Sequence, residues 1–137
     1  MASEILVDTS GFYALLVAGD DRHREAAAVM RKAELDKRRF VTTDYILDET
    51  ATLLTARSHA HLLGVFFDTV RRTGVCRVEW MEAGRFDKVS AFMSRHLDQG
   101  YSFTDCFSFL VMKELKLRDA LTKDAHFEKA GFTVLLA

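Results

Sequence analysis

EILVDTSG, residues 4–11, sets three apolar β-formers in a row, Ile5, Leu6 and Val7, then a carboxylate and a run of small turn-forming residues. A strand that is apolar at consecutive positions has no face for water, so it belongs inside a parallel sheet covered by helices on both sides. Outward from this strand, four further β-rich runs recur: RFVTT (39–43), VCRVEW (75–80), DALT (119–122) and FTVLLA (132–137). Helical spacing fills the intervals, over 12–18, 22–37, 45–58, 60–72, 85–97, 103–117 and 125–129. In Ile46, Leu47, Thr50, Leu53 and Leu54, and again in Phe107, Leu110, Val111, Glu114 and Leu115, side chains return every three or four residues, which makes one buried stripe per helix. Strands alternating with helices pair in parallel through crossovers, so the expected fold class is α/β, a helix–sheet–helix sandwich.

The 137 residues suit one domain, 1–137, with a core large enough to need no disulfide or structural metal. No proline and seven scattered glycines leave no linker, and 49% hydrophobic against 28% charged residues excludes intrinsic disorder. Nineteen Lys and Arg against twenty Asp and Glu exclude a polycationic nucleic-acid coat, so any nucleic-acid contact must use a local patch. Cys76 and Cys106 stand far apart with no metal-binding or redox spacing around them, which points to a reducing, cytoplasmic setting. No apolar run approaches the roughly 18 residues of a membrane span. The first ten residues lack the basic segment of a secretory leader.

In open parallel sheets the ligand crevice lies beyond the carboxyl ends of the strands. Asp8 closes the first strand and Asp124 follows the fourth, so both point into that crevice. Glu49, in TTDYILDET, lies on or beside the apolar face of its helix. Asp105, in YSFTDCFSF, sits in a first helical turn facing the protein. Carboxylates about 4 Å apart repel by roughly 4 kcal/mol per pair at an effective dielectric near 20, so four that converge need cations or bound protons. An all-oxygen cluster selects Mg2+ or Mn2+, ions that activate water and neutralise a leaving oxygen in phosphodiester hydrolysis. Each residue also has a structural reading: a turn at Asp8, a capping box of Ser102 with Asp105, a partly exposed helix position for Glu49, and an N-cap at Asp124. The four carboxylates bordering one crevice favour the catalytic reading.

The strings ILVDTSGFYALL, TTDYILDETATLL, YSFTDCFSFLVMKEL and ALTKDAHFEKAGF resemble, in order and spacing, the signature segments of PIN-domain proteins, especially the VapC-type toxins of toxin–antitoxin systems. The resemblance implies a five-stranded parallel sheet in a three-layer α/β/α sandwich and a Mg2+- or Mn2+-dependent endoribonuclease. It maps the family's acidic quartet onto Asp8, Glu49, Asp105 and Asp124 as catalytic metal ligands, with Thr9, Ser10, Thr104 and Thr122 at supporting positions. It also implies an RNA substrate, a homodimer, and an antitoxin whose C-terminal segment occupies the active-site groove.

Basic residues gather as Arg31, Lys32, Lys37, Arg38 and Arg39 and as Arg71 and Arg72; interleaved acids such as Glu34 and Asp36 mark most of them as solvated helix faces. His59 and His61 fall on different faces, and His23, His96 and His126 have no partner at a telling spacing. Phe66, Phe67, Phe107 and Phe109 read as core, as does Cys106. Signatures of dinucleotide binding, phosphate loops, zinc peptidases and serine hydrolases are missing. A second reading, a non-catalytic PIN module that binds RNA or a basic peptide in its acidic groove, predicts binding without metal and no cleavage.

Overall fold

The computed structural model describes residues 3–72 and 74–137. Ile5–Val7 (β1) is buried at every position, as its unbroken apolar run requires. Phe40–Thr43 (β2), also wholly buried, pairs on one side of β1 and Asp119–Leu121 (β4) on the other. Cys76–Glu79 (β3) and Thr133–Val134 (β5) form the half-buried edges, giving an all-parallel sheet of order β3-β2-β1-β4-β5. In register Val7 is level with Leu121, so the residues that follow, Asp8 and Thr122, leave the sheet side by side.

The helices are Thr9–Leu16 (α1), His23–Leu35 (α2), Asp44–Ala56 (α3), Leu63–Arg71 (α4), Ala83–Arg95 (α5), Phe103–Glu114 (α6) and Ala125–Lys129 (α7). From β1 the chain steps outward through β2 to β3, then returns across the sheet to β4 and β5. Right-handed crossovers therefore put α1 to α4 on one face and α5 to α7 on the other. The contacts agree: α1 packs on α2 and α3, and α6 on α5 and α7. The direction of winding reverses between β1 and β4, which is where a crevice opens in sheets of this kind. Phe12 meets Phe66 edge to face at 5.2 Å under α1, and Phe109 meets Phe127 at 5.0 Å under α6.

Several local expectations are corrected. Helix α1 starts at Thr9, because Asp8 is extended and serves as its N-cap, so Thr9, Ser10 and Gly11 form a helical turn. Gly11 permits this: a Cβ there would lie 2.1 Å from the Leu121 carbonyl oxygen, so only glycine lets α1 sit against the end of β4. The segment 60–72 divides into a short 3-10 turn at Ala60–Leu62 and then α4, after Ser58 adopts a left-handed φ of 64°. Strand β5 has two paired residues, although Leu135 and Leu136 continue beside β4 by donating to the carbonyls of Ala120 and Thr122. Phe67 is 40% exposed while Phe66 is buried, since neighbours on a helix point about 100° apart. Among the described residues no helix is long and apolar enough to cross a membrane.

Candidate active site

The site begins where β1 and β4 end. Thr122 is fully buried, and its hydroxyl donates to Asp8 Oδ2 at 2.9 Å. With that proton committed, the same oxygen accepts from the Asp124 backbone N–H (3.0 Å) and from the Ser10 hydroxyl (3.0 Å). Ser10 in turn accepts from the Lys123 backbone N–H at 3.0 Å. One side chain thus ties the first turn of α1 to the loop that carries Asp124. Thr50 on α3 donates to the Ile46 carbonyl and lies 3.4 Å from the Thr9 hydroxyl, which seats α3 against α1.

A cleft of about 430 Å³ opens above this floor, lined by Asp8, Glu49 and Asp124 together with Asp20, Arg57 and Lys123. Glu49 projects from the exposed side of α3, beside the buried stripe of Ile46, Thr50 and Leu54, and so forms one wall. Asp105 approaches from the opposite layer. It closes the capping box of α6, donating its backbone N–H to Ser102 Oγ (3.0 Å) and accepting the Ser102 N–H on Oδ2 (3.1 Å), an arrangement worth roughly 1 kcal/mol to the helix start. Asp124 caps α7 by accepting the His126 backbone N–H at 2.9 Å. For Asp105 and Asp124 the capping and site readings therefore coexist, because the cap is what aims each carboxylate. The Thr104 hydroxyl makes no hydrogen bond to these carboxylates among the described residues; its carbonyl accepts from Ser108.

The charges press on one another. Burial above all, with the charges of Asp105 and Glu49, pushes Asp8 from its ordinary 3.8 up to about 7, against hydrogen bonds from Thr9 and Thr122 that favour the ionised form. At neutral pH this position calls for a proton or a cation. Donor atoms of Asp105, Asp124 and His126 all lie within 4.8 Å of one another. Asp8 and Glu49 lie outside that trio, whose two carboxylates and one imidazole are groups that can ligate a divalent cation.

A model of the PIN domain matches residues 5–133. The chain belongs to the PIN-domain family. This PIN domain is 36% identical over 128 residues to the 23S rRNA-specific endonuclease VapC20 of Mycobacterium tuberculosis, covering 93% of the chain and 95% of that protein. It is 30% identical over 124 residues to a VapC ribonuclease of Archaeoglobus fulgidus, covering 89% of the chain and 78% of the relative. The crystal structure of M. tuberculosis VapC20, described as a sarcin–ricin loop cleaving toxin, superposes with a TM-score of 0.82 at 32% identity over 98% of this chain and all of that one. A Pyrobaculum aerophilum protein, 19% identical, shares the fold with a TM-score of 0.66, over 98% of this chain and 85% of its own.

Two features of this PIN domain escape its sequence. His126, set aside for want of a partner, brings Nδ1 to 3.3 Å from Asp105 Oδ2 and 3.5 Å from Asp124 Oδ1, and its ring meets Tyr101 edge to face. The available signal is the cap itself: His126 stands two residues after the N-cap Asp124, and here both its backbone N–H and its ring approach that carboxylate. The basic runs lie at the other end of the sheet, since Arg38 and Arg39 lead into β2 and Arg71 and Arg72 end α4 ahead of β3. Arg38 pairs with Asp119 at 2.7 Å, and Lys32 with Asp36 at 3.1 Å.

Proposed function

We propose that this PIN domain, taken as one domain over 1–137, is a metal-dependent endoribonuclease in which Asp8, Glu49, Asp105 and Asp124 hold Mg2+ or Mn2+. The observation that carries the reading is the buried carboxyl of Asp8, raised by burial and by the charges of Asp105 and Glu49, at the floor of a cleft that Asp124 also lines. When bound, a divalent ion there supplies Lewis acidity, making water a nucleophile at neutral pH and offsetting charge on the leaving oxygen. The chain's own residues supply position. Thr122 fixes Asp8, the Ser102 N–H orients Asp105, and the His126 N–H orients Asp124, so each of the three is held by a hydrogen bond of its own. Glu49, on an exposed helix face, is the ligand with freedom to adjust.

The likeness to VapC20 supports 23S rRNA as the substrate and the toxin of a toxin–antitoxin pair as the role, in the cytoplasm. A homodimer and a cognate antitoxin with a segment in the cleft complete the reading. Exposed Val65, Phe67, Trp80 and Phe86 offer apolar surface for protein contacts. Incubation of purified protein with 23S rRNA tests it: cleavage with Mn2+ or Mg2+, none in EDTA and none by Asp8→Asn support the proposal. RNA left intact by the wild-type protein under every ion condition rejects it in favour of a non-catalytic binding module.

A further inference from the structure

Two cations face the acidic cleft with no carboxylate closed upon them. Arg57, the residue that follows α3, and Lys123, in the loop between β4 and α7, both line it beside Asp8, Asp20, Glu49 and Asp124. Elsewhere Lys32, Arg38, Arg77 and Arg85 are each engaged by an acidic side chain, but among the described residues neither Arg57 nor Lys123 forms an ion pair. A cation held next to four acids and paired with none keeps its donors open for an incoming anion.

Both are held in place by other means. The Arg57 guanidinium lies over the face of Tyr13, its central carbon 5.3 Å from the ring centre, and Tyr13 is braced edge-on by His59 at 5.8 Å. A planar guanidinium resting on a fixed ring loses little freedom when its fork takes a phosphate. Lys123 has its backbone N–H bound to Ser10 and stands one residue before Asp124, beside the carboxylates. Glu49, Leu53 and Arg57 recur every four residues along the cleft wall, so Arg57 is rooted about 12 Å from Glu49 along the helix axis, toward the other end of that wall.

We infer that Arg57 and Lys123 are the residues that grip the RNA backbone, Lys123 at the phosphate to be cleaved and Arg57 at a neighbouring one, so fixing the path of the strand through the cleft. This rests on the endoribonuclease reading. Both bind the substrate directly, and the longer basic runs at the far end of the sheet have no part in the contact.

The test is cleavage of a labelled 23S rRNA transcript with Mn2+ across a series of KCl concentrations. Each lost contact to single-stranded RNA reduces the slope of log(kcat/KM) against log salt by about 0.7. Arg57→Gln is expected to show that reduction with KM raised several-fold and kcat within about twofold, while Lys123→Gln shows the same reduction with kcat lowered as well. Arg71→Gln and Arg72→Gln serve as controls whose slopes stay at the wild-type value. The inference is overturned if the wild-type protein cleaves but Arg57→Gln and Lys123→Gln keep its salt slope, or if the control variants shift it equally. Wild-type protein that cleaves nothing overturns the nuclease reading itself, and this inference with it.

Discussion

Replacing Asp8 with asparagine should stabilise the metal-free protein at neutral pH. Asp8 is 6% exposed, and burial together with the nearby charges of Asp105 and Glu49 raises its carboxyl from 3.8 to about 7. Each factor of ten in an ionisation constant is worth 1.36 kcal/mol, so ionising this group in the fold costs on the order of 4 kcal/mol. The sign follows from which state holds the proton. The unfolded chain releases it near 3.8 and the folded chain near 7, so the contribution is fully present below pH 4, declines between 4 and 7, and is gone above 7. Asparagine carries no charge and still accepts the Thr122 hydroxyl, now 2.9 Å from Asp8 Oδ2, so it escapes the decline. Thermal and urea unfolding in EDTA should show the advantage of Asp8→Asn widening from pH 4 to 7 and levelling off at pH 8, on the order of 10 °C in midpoint. Mn2+ should close most of that gap, because an ion bound only to the folded wild-type protein adds about 2.7 kcal/mol at a hundred times its Kd, against the roughly 4 kcal/mol that ionising Asp8 costs. An Asp8→Asn protein no more stable than wild type at pH 8 without metal, or equally advantaged at pH 5 and pH 8, would refute this reasoning.

Gly11→Ala should lower the urea-unfolding free energy by about 3 kcal/mol or more, because the new Cβ meets the Leu121 carbonyl at 2.1 Å and both sides of the clash are backbone. A loss well below 1 kcal/mol would mean that α1 shifts freely. Thr122→Val strips the hydroxyl shared by Asp8, Ser10 and the Asp124 backbone, and calorimetry should find Mn2+ bound about 10- to 100-fold more weakly, with Thr122→Ser close to wild type. Burial pushes the thiols of Cys76 and Cys106 up to about 11, so at pH 8 the native protein should react with a thiol reagent about a hundredfold more slowly than the chain in urea. Equal rates would contradict it.

What the sequence makes legible is local. The run Ile5, Leu6, Val7 declares a strand covered on both faces, and Ser102 with Asp105 declares a helix start, since each pattern works through neighbours in the chain. The start of α1 is hidden because Thr9, Ser10 and Gly11 carry turn propensity. What makes them helical is distant: Gly11 against the Leu121 carbonyl, and Ser10 against Thr122. The roles of Glu49 and His126 depend on which layers the sheet brings together. Charge is the least legible feature. Basic runs stand out in the sequence yet sit at the amino ends of the strands, whereas Arg57 and Lys123 are isolated along the chain and come to line one cleft only in the fold.

Direct titration with Mn2+ tests the central claim most plainly. Calorimetry, checked by the loss of the free Mn2+ electron paramagnetic resonance signal, should find saturable binding to the wild-type protein and loss of that binding in both Asp8→Asn and Asp105→Asn, each still folded by its melting transition. Wild-type protein that takes up no Mn2+, or variants that bind it as tightly as wild type, would mean that these carboxylates hold no ion.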